Sequence, residues 1–189
     1  MKHLVTILIF TVFAFFSCNN KAQTQSGKGG MAPIQKTSGT VSKETPVLTK
    51  AEVENFFPKQ LGDYKLFNVD VVLLKSKGTA AGTYFKNNDF NHSLVYTLED
   101  GQRKGSAILK NFETSYASEL NGPEGTKYVK KERDGYKTIA FLQPGINRNS
   151  IGFIYKNRFK LSLEGVVAPD VLWAYFRKED LVKLDKYQN

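Results

Sequence analysis

The spacing of apolar positions changes along this chain, and the changes divide it into three parts. Leu4 to Phe16 is a continuous apolar run of thirteen residues, interrupted only by Thr6 and Thr11. A helix needs roughly 20 apolar residues to cross a hydrocarbon core, so this run is too short to span one. Residues 19–48 are rich in Gly, Ser, Thr, Lys and Gln, contain no aromatic residue, and include Gly27-Lys28-Gly29-Gly30. Such a stretch buries too little apolar surface to offset its ordering entropy. From residue 49 onward the apolar positions become periodic, and strand and helix spacings alternate.

Thr49-Lys50-Ala51-Glu52 reads as a capping box that starts a short helix, with Leu48 and Val53 at the positions of a hydrophobic staple. Pro58 stops it. Tyr64–Leu74 carries the alternating Val69, Val71 and Leu73, and Ala80–Phe85 and Ser93–Leu98 are further strands. Lys77-Gly78 and Asn87-Asn88-Asp89 read as the turns between them. Over 104–118 the spacing switches to three and four, placing Ile108, Phe112, Ser115 and Tyr116 on one helix face. Asn121–Gly125 breaks that helix. Tyr128–Arg133 and Tyr136–Leu142 flank Asp134-Gly135, a strong hairpin signal. After a turn at Pro144-Gly145, Ser150–Tyr155 and Phe159–Leu163 flank Lys156-Asn157-Arg158. Pro169 opens a final helix with Val171, Leu172, Tyr175 and Phe176 on its apolar face. A bend near Lys178 leads on to Leu181, Leu184 and Tyr187. The pattern predicts an α+β fold: an antiparallel sheet of about six to seven strands with helices packed mainly on one face.

The first segment has a basic start, Met1-Lys2-His3, before its apolar run, which is the layout of an export signal. Phe15-Phe16-Ser17-Cys18 then resembles the lipobox of bacterial lipoproteins, departing from the commonest pattern at Phe15, where Leu is usual. The resemblance covers residues 1–18 and implies cleavage before Cys18, diacylation of its thiol and acylation of the new amine. Asn19-Asn20-Lys21-Ala22-Gln23 lacks both an Asp after the Cys and an acidic cluster. By resemblance, that places the mature protein at the outer membrane, on its periplasmic face. Cys18 is the only cysteine, so no internal disulfide can form. Two or more acyl chains anchor a protein stably where one does not. The expected organisation is a signal peptide over 1–17, a lipidated Cys and flexible linker over 18–48, and one globular domain over 49–189. A coil of about thirty residues averages roughly 30 Å and stretches to about 100 Å. The globular domain itself resembles no family.

Charge changes this picture little. The chain carries a formal +9, and the linker contributes Lys21, Lys28, Lys36 and Lys43 against Glu44. A mild excess suits anionic headgroups or polymers. It is too dispersed for nucleic acid.

Candidate chemistry is sparse. Beyond the signal, His92 is the only histidine, in a polar turn with no nucleophile motif beside it. Neither a zinc ligand set nor a Ser-His-Asp arrangement is legible, so no catalytic residue, metal site or cofactor is expected. Glu99 and Asp100 are adjacent in a strand and should point to opposite faces, with Asp100-Gly101 shaping a turn. Glu164 and Asp170 bracket the start of the last helix. Gly101–Ser106 precedes a helix but lacks the ending of a phosphate loop. Two basic clusters stand out: Lys127, Lys130, Lys131, Arg133 and Lys137 around one hairpin, and Lys156, Arg158 and Lys160 around the next. On neighbouring hairpins they would offer one face to an anionic lipid, a glycan or an acidic protein patch, or else serve as solvated edges guarded by lysine. Tyr64, Tyr84, Tyr96, Tyr136, Phe141, Phe153 and Tyr155 read either as core or as the lining of a groove.

The functional expectation is a membrane-anchored, periplasm-facing lipoprotein, not an enzyme, that serves as a binding or accessory subunit of an envelope protein complex. Two alternatives stand beside it: a carrier or sensor of a lipid or other hydrophobic ligand, and a hydrolase using a carboxylate site that no motif marks.

Overall fold

The computed structural model describes residues 46–74, 78–102 and 106–187. The signal segment 1–17, Cys18, linker residues 19–45, Lys77 of its turn and Arg103–Gly105 of the loop before the second helix lie outside the described residues. No helix among the described residues is long and apolar enough to cross a membrane.

In chain order the elements are α1 (Lys50–Phe56), β1 (Gln60–Leu61), β2 (Tyr64–Leu73), β3 (Gly78–Lys86), β4 (Asp89–Asp100), α2 (Ile108–Ala117), β5 (Lys127–Arg133), β6 (Tyr136–Gln143), β7 (Arg148–Tyr155), β8 (Phe159–Gly165), α3 (Pro169–Ala174) and α4 (Lys178–Leu181). A 3-10 turn over Val182–Tyr187 follows α4. The capping box forms: the Glu52 amide donates to the Thr49 hydroxyl at 3.3 Å, and the Thr49 amide donates to the Glu52 carboxylate at 3.0 Å. Leu48 and Val53, the staple pair, are both buried.

All strands pair antiparallel in one sheet ordered β1-β2-β3-β4-β8-β7-β6-β5. It comprises two meanders joined where β4 pairs with β8. Among the described residues the strand count is therefore eight, a correction to the expected six to seven. The strand that periodicity does not show is β1, which is only two residues long and pairs with Lys65 and Tyr64. Two residues cannot display an alternation. The β1–β2 turn requires a glycine: Gly62 has φ +55°, and a Cβ there would stand 2.9 Å from the Tyr175 ring. Asn87-Asn88, Asp134-Gly135 and Lys156-Asn157 all take left-handed pairs, the geometry of tight hairpin turns.

Alternation gives the sheet two distinct faces. Leu94, Tyr96 and Leu98 of β4, Phe159, Leu161 and Leu163 of β8, and Ile151, Phe153 and Tyr155 of β7 point to the front and are buried. There Phe56 and Phe57 meet Tyr96 edge-on at 5.5 and 5.6 Å, and Phe176 bridges Tyr96 (5.3 Å) and Phe153 (4.9 Å). Trp173 packs on Phe153 at 5.1 Å. The first helix and those after β8 thus seal the front. That leaves most helices on one face, and among the described residues the second helix alone lies over the back. Lys137 of β6 bonds Glu113 of α2 at 2.7 Å, and Lys130 of β5 donates to the Tyr116 carbonyl at 2.9 Å. Only Phe112 of α2 is buried, so this helix covers its side of the sheet lightly.

The two ends of the described domain are fastened at one buried side chain. Arg158, between β7 and β8, donates from Nε and Nη2 to the two oxygens of Asp100, each at 2.9 Å. Its Nη2 also donates to the Pro46 carbonyl at 2.8 Å, and Nη1 to the Tyr187 carbonyl. The guanidinium lies 4.7 Å over the Phe159 ring.

Candidate functional site

The eight basic residues of the two clusters do not share one face. Lys127, Lys131 and Arg133 alternate to the front side of β5, as their pairing opposite Leu142, Thr138 and Tyr136 requires. Lys130, Lys137 and Lys160 point to the back. Lys156 is exposed in its turn, and Arg158 is buried with Asp100. Most of these cations are already engaged. The Arg133 side chain, 8% exposed, bonds Asp170 at 2.8 Å and the Thr138 hydroxyl at 2.6 Å. Arg133 holds the Asp170 carboxyl below its ordinary range. Lys160 bonds Glu99 at 2.6 Å. Glu113 beside Lys137 holds that ammonium above its ordinary range. What remains exposed is Lys127 and Lys131, four residues apart on β5, and Lys156 in the β7–β8 turn, whose ammonium lies 6.0 Å over the Tyr155 ring.

The acidic candidates are placed as alternation requires. Glu99 points to the back with Lys160, while Asp100 points inward to Arg158 and accepts from the Gln102 amide at 3.0 Å, shaping the expected turn. Glu164 pairs with Arg148 across β7 and β8. His92 is exposed near the start of β4 with its Nδ1 2.7 Å from the Asp89 carboxylate. That ring, with the Asn91 amide, holds the Asp89 carboxyl below its usual range. Among the described residues no group of three His, Cys, Asp or Glu is arranged to hold a metal ion.

The aromatic set splits. Tyr84, Tyr96 and Phe153 are fully buried, Tyr64 and Tyr155 nearly so, and Tyr136 packs on Phe153 at 5.0 Å. Burial drives the phenols of Tyr84, Tyr96 and Tyr155 well above the ordinary tyrosine range. These residues are core. Phe141 alone points to the back, stacked on Tyr128 at 4.4 Å.

Two back-face features lie outside the candidates named from the sequence. The first is a cleft of about 470 Å³ between α2 and the sheet. Its floor is Thr97, Ser162, Gly152 and Ser150, flanked by Glu99, Lys160 and Glu164. Its walls include Ile108, Phe112, Leu120, Tyr128 and Phe141. The second is the part of the back face formed by β2, β3 and the start of β4, which is exposed among the described residues. Phe67, Phe85 and Phe90 form an aromatic ladder there with centroids 5.2 and 4.6 Å apart, and Phe67 and Phe90 are 67% and 70% exposed. A signal for it exists in the sequence. The inward positions of β2 run Tyr64, Leu66 and then Val69, Val71, Leu73, so the parity switches at Phe67. The pairing register shifts between Leu66 and Asn68 at that point, as a β-bulge does.

The edge beside this ladder is also distinctive. Beyond β1, among the described residues, no strand pairs with the outer side of β2. From Asn68 to Leu73 that edge carries a single charge, Asp70, and Val72 is 49% exposed.

Comparison with protein-family models, with curated proteins and with solved structures finds no match to this chain.

Proposed function

We propose that the protein is a lipid-anchored accessory subunit of the bacterial envelope, held at the periplasmic face of the outer membrane, that docks on a protein partner through the β2 edge and its aromatic ladder. The lipobox-like Phe15–Cys18, the lone cysteine and the long polar linker support the anchor and its reach. The observation that carries the docking reading is the contrast between the two edges of the sheet. The β5 edge reads Lys-Tyr-Val-Lys-Lys-Glu-Arg, and lysines on an edge oppose strand addition. The exposed span of β2 reads Asn-Val-Asp-Val-Val-Leu, an apolar edge beside exposed phenylalanines. An edge of this kind accepts an added strand, with main-chain hydrogen bonds giving affinity and side-chain pockets giving selectivity. The partner is therefore a protein with an extended, apolar-alternating segment.

The test is pull-down of the full chain after mild detergent extraction. Wild type should retain a defined partner, and Phe67→Lys combined with Val72→Lys should release it. Lys130→Ala on the opposite edge should not. A wild-type protein that elutes as a clean monomer, or a partner retained by the double variant, sinks the reading. Metabolic labelling with a fatty-acid analogue tests the anchor separately: wild type should be tagged, and a tagged Cys18→Ala would refute it.

A further inference from the structure

The cleft beneath α2 is built from β4 to β8 and shares none of the residues of the β2 edge. We propose that it binds a short, uncharged saccharide.

Electrostatics narrows the ligand first. Each carboxylate on the floor already has a cation: Glu99 has Lys160 at 2.6 Å, and Glu164 has Arg148. An anionic ligand would have to break one of these pairs to gain a cation. The remaining polar lining, Thr97, Ser150, Ser162, Asn111 and Ser115, is neutral. A hydrocarbon chain fits no better. It would strip water from four hydroxyls, an amide and two ion pairs while returning no hydrogen bond, and polar groups left uncompensated oppose binding. A polyol meets both conditions. A carboxylate in a single ion pair still has acceptor positions for ligand hydroxyls, and hydrogen bonds to charged groups are the stronger kind.

Shape points the same way. The rows of the floor come from register: Thr97 opposes Ser162, Ser162 opposes Gly152, and Gly152 opposes Ile139. Short side chains therefore occupy the middle of the floor, and at its centre there is none. A Cβ on Gly152 would crowd the Leu161 carbonyl at 3.2 Å and Ser162 at 3.3 Å. To one side stands the stacked Tyr128–Phe141 pair, and above it Phe112 and Ile108 of α2. A sugar ring has an apolar C–H face for such a wall and hydroxyls at its rim for such a floor. The volume lies within the about 300–1,000 Å³ of small-molecule sites.

The experiment uses the full chain in a zwitterionic detergent without a sugar headgroup, since an alkyl glycoside would compete. Maltose, cellobiose, lactose and N,N′-diacetylchitobiose are titrated by calorimetry, with decanoate and inorganic phosphate as counter-probes. At least one disaccharide should bind, and Ser162→Leu, which fills the floor, should weaken it about tenfold or more, the equivalent of one good hydrogen bond. Thr97→Val, close in shape but without the hydroxyl, should weaken it with an unchanged melting curve, and carries the test if Ser162→Leu does not fold. Phe67→Lys should leave binding untouched, so that failure here is distinct from failure of the docking reading. Binding of no disaccharide, or disaccharide binding indifferent to both floor variants, overturns the proposal. So does decanoate or phosphate binding that the floor variants abolish.

Discussion

The front and back faces of this sheet are made by the same strands but solve different problems. On the front, β4, β7 and β8 present Leu, Ile, Phe and Tyr, and the helices α1, α3 and α4 bury them under a network of edge-on aromatic contacts. On the back the same strands present Val95, Thr97, Glu99, Ser150, Gly152, Lys160, Ser162 and Glu164, and one lightly buried helix crosses only part of them. The front therefore carries most of the stability. The back stays accessible at little energetic cost, because its polar side chains are either paired with one another or half in water.

That division can be broken or sharpened by substitution. The largest effect is expected at Arg158, where the two ends of the described domain converge. Arg158→Ala strands a buried Asp100 and should cost about 3–5 kcal/mol in a denaturant titration. Arg158→Met combined with Asp100→Leu should recover much of that loss, because removing both charges avoids the stranded one. Phe153→Ala on the front should cost a comparable 3–5 kcal/mol or slightly less, since it opens a cavity beneath α3.

A smaller effect is expected from acid. The neighbouring Tyr187 hydroxyl, the Thr49 amide and hydroxyl, and the Lys186 ammonium hold the Glu52 carboxyl down at about 2. A carboxyl depressed by folding adds stability that is fully present above its ordinary value of 4.5 and is lost as pH falls towards 2. Tm should drop across that window, and Glu52→Gln should flatten the drop. Because Glu52 lies at the surface, the effect should stay well below that of either core substitution. The smallest effect is expected on the open back. Phe67→Ser should change stability by no more than about 0.5 kcal/mol. A loss as large as that of Phe153→Ala would mean the two faces are not divided as described.

Much of the fold is legible in the sequence, and the reasons are local. The capping box at Thr49, the hairpin turns at Asn87 and Asp134, and the alternation in β2 to β8 all act within a few residues. The misreadings are long-range. Arg158 looked like part of a basic surface because its acceptor, Asp100, is 58 residues away in sequence. The helix α2 gave its apolar stripe but not the side of the sheet it would cover. The cleft could not be read at all, since five strands and a helix contribute to it and no segment carries more than a few of its residues. Phe67 was the exception, a local signal in plain sight: a switch of parity that marks a bulge.

The Arg158 clasp has a consequence for topology. The carbonyls of Pro46 and Tyr187 both accept from one guanidinium, so the described domain is close to a closed loop. Such a domain has no privileged starting point. A ring joined there and opened at the exposed Pro144–Asn147 turn would present the same strands in the same order around the sheet.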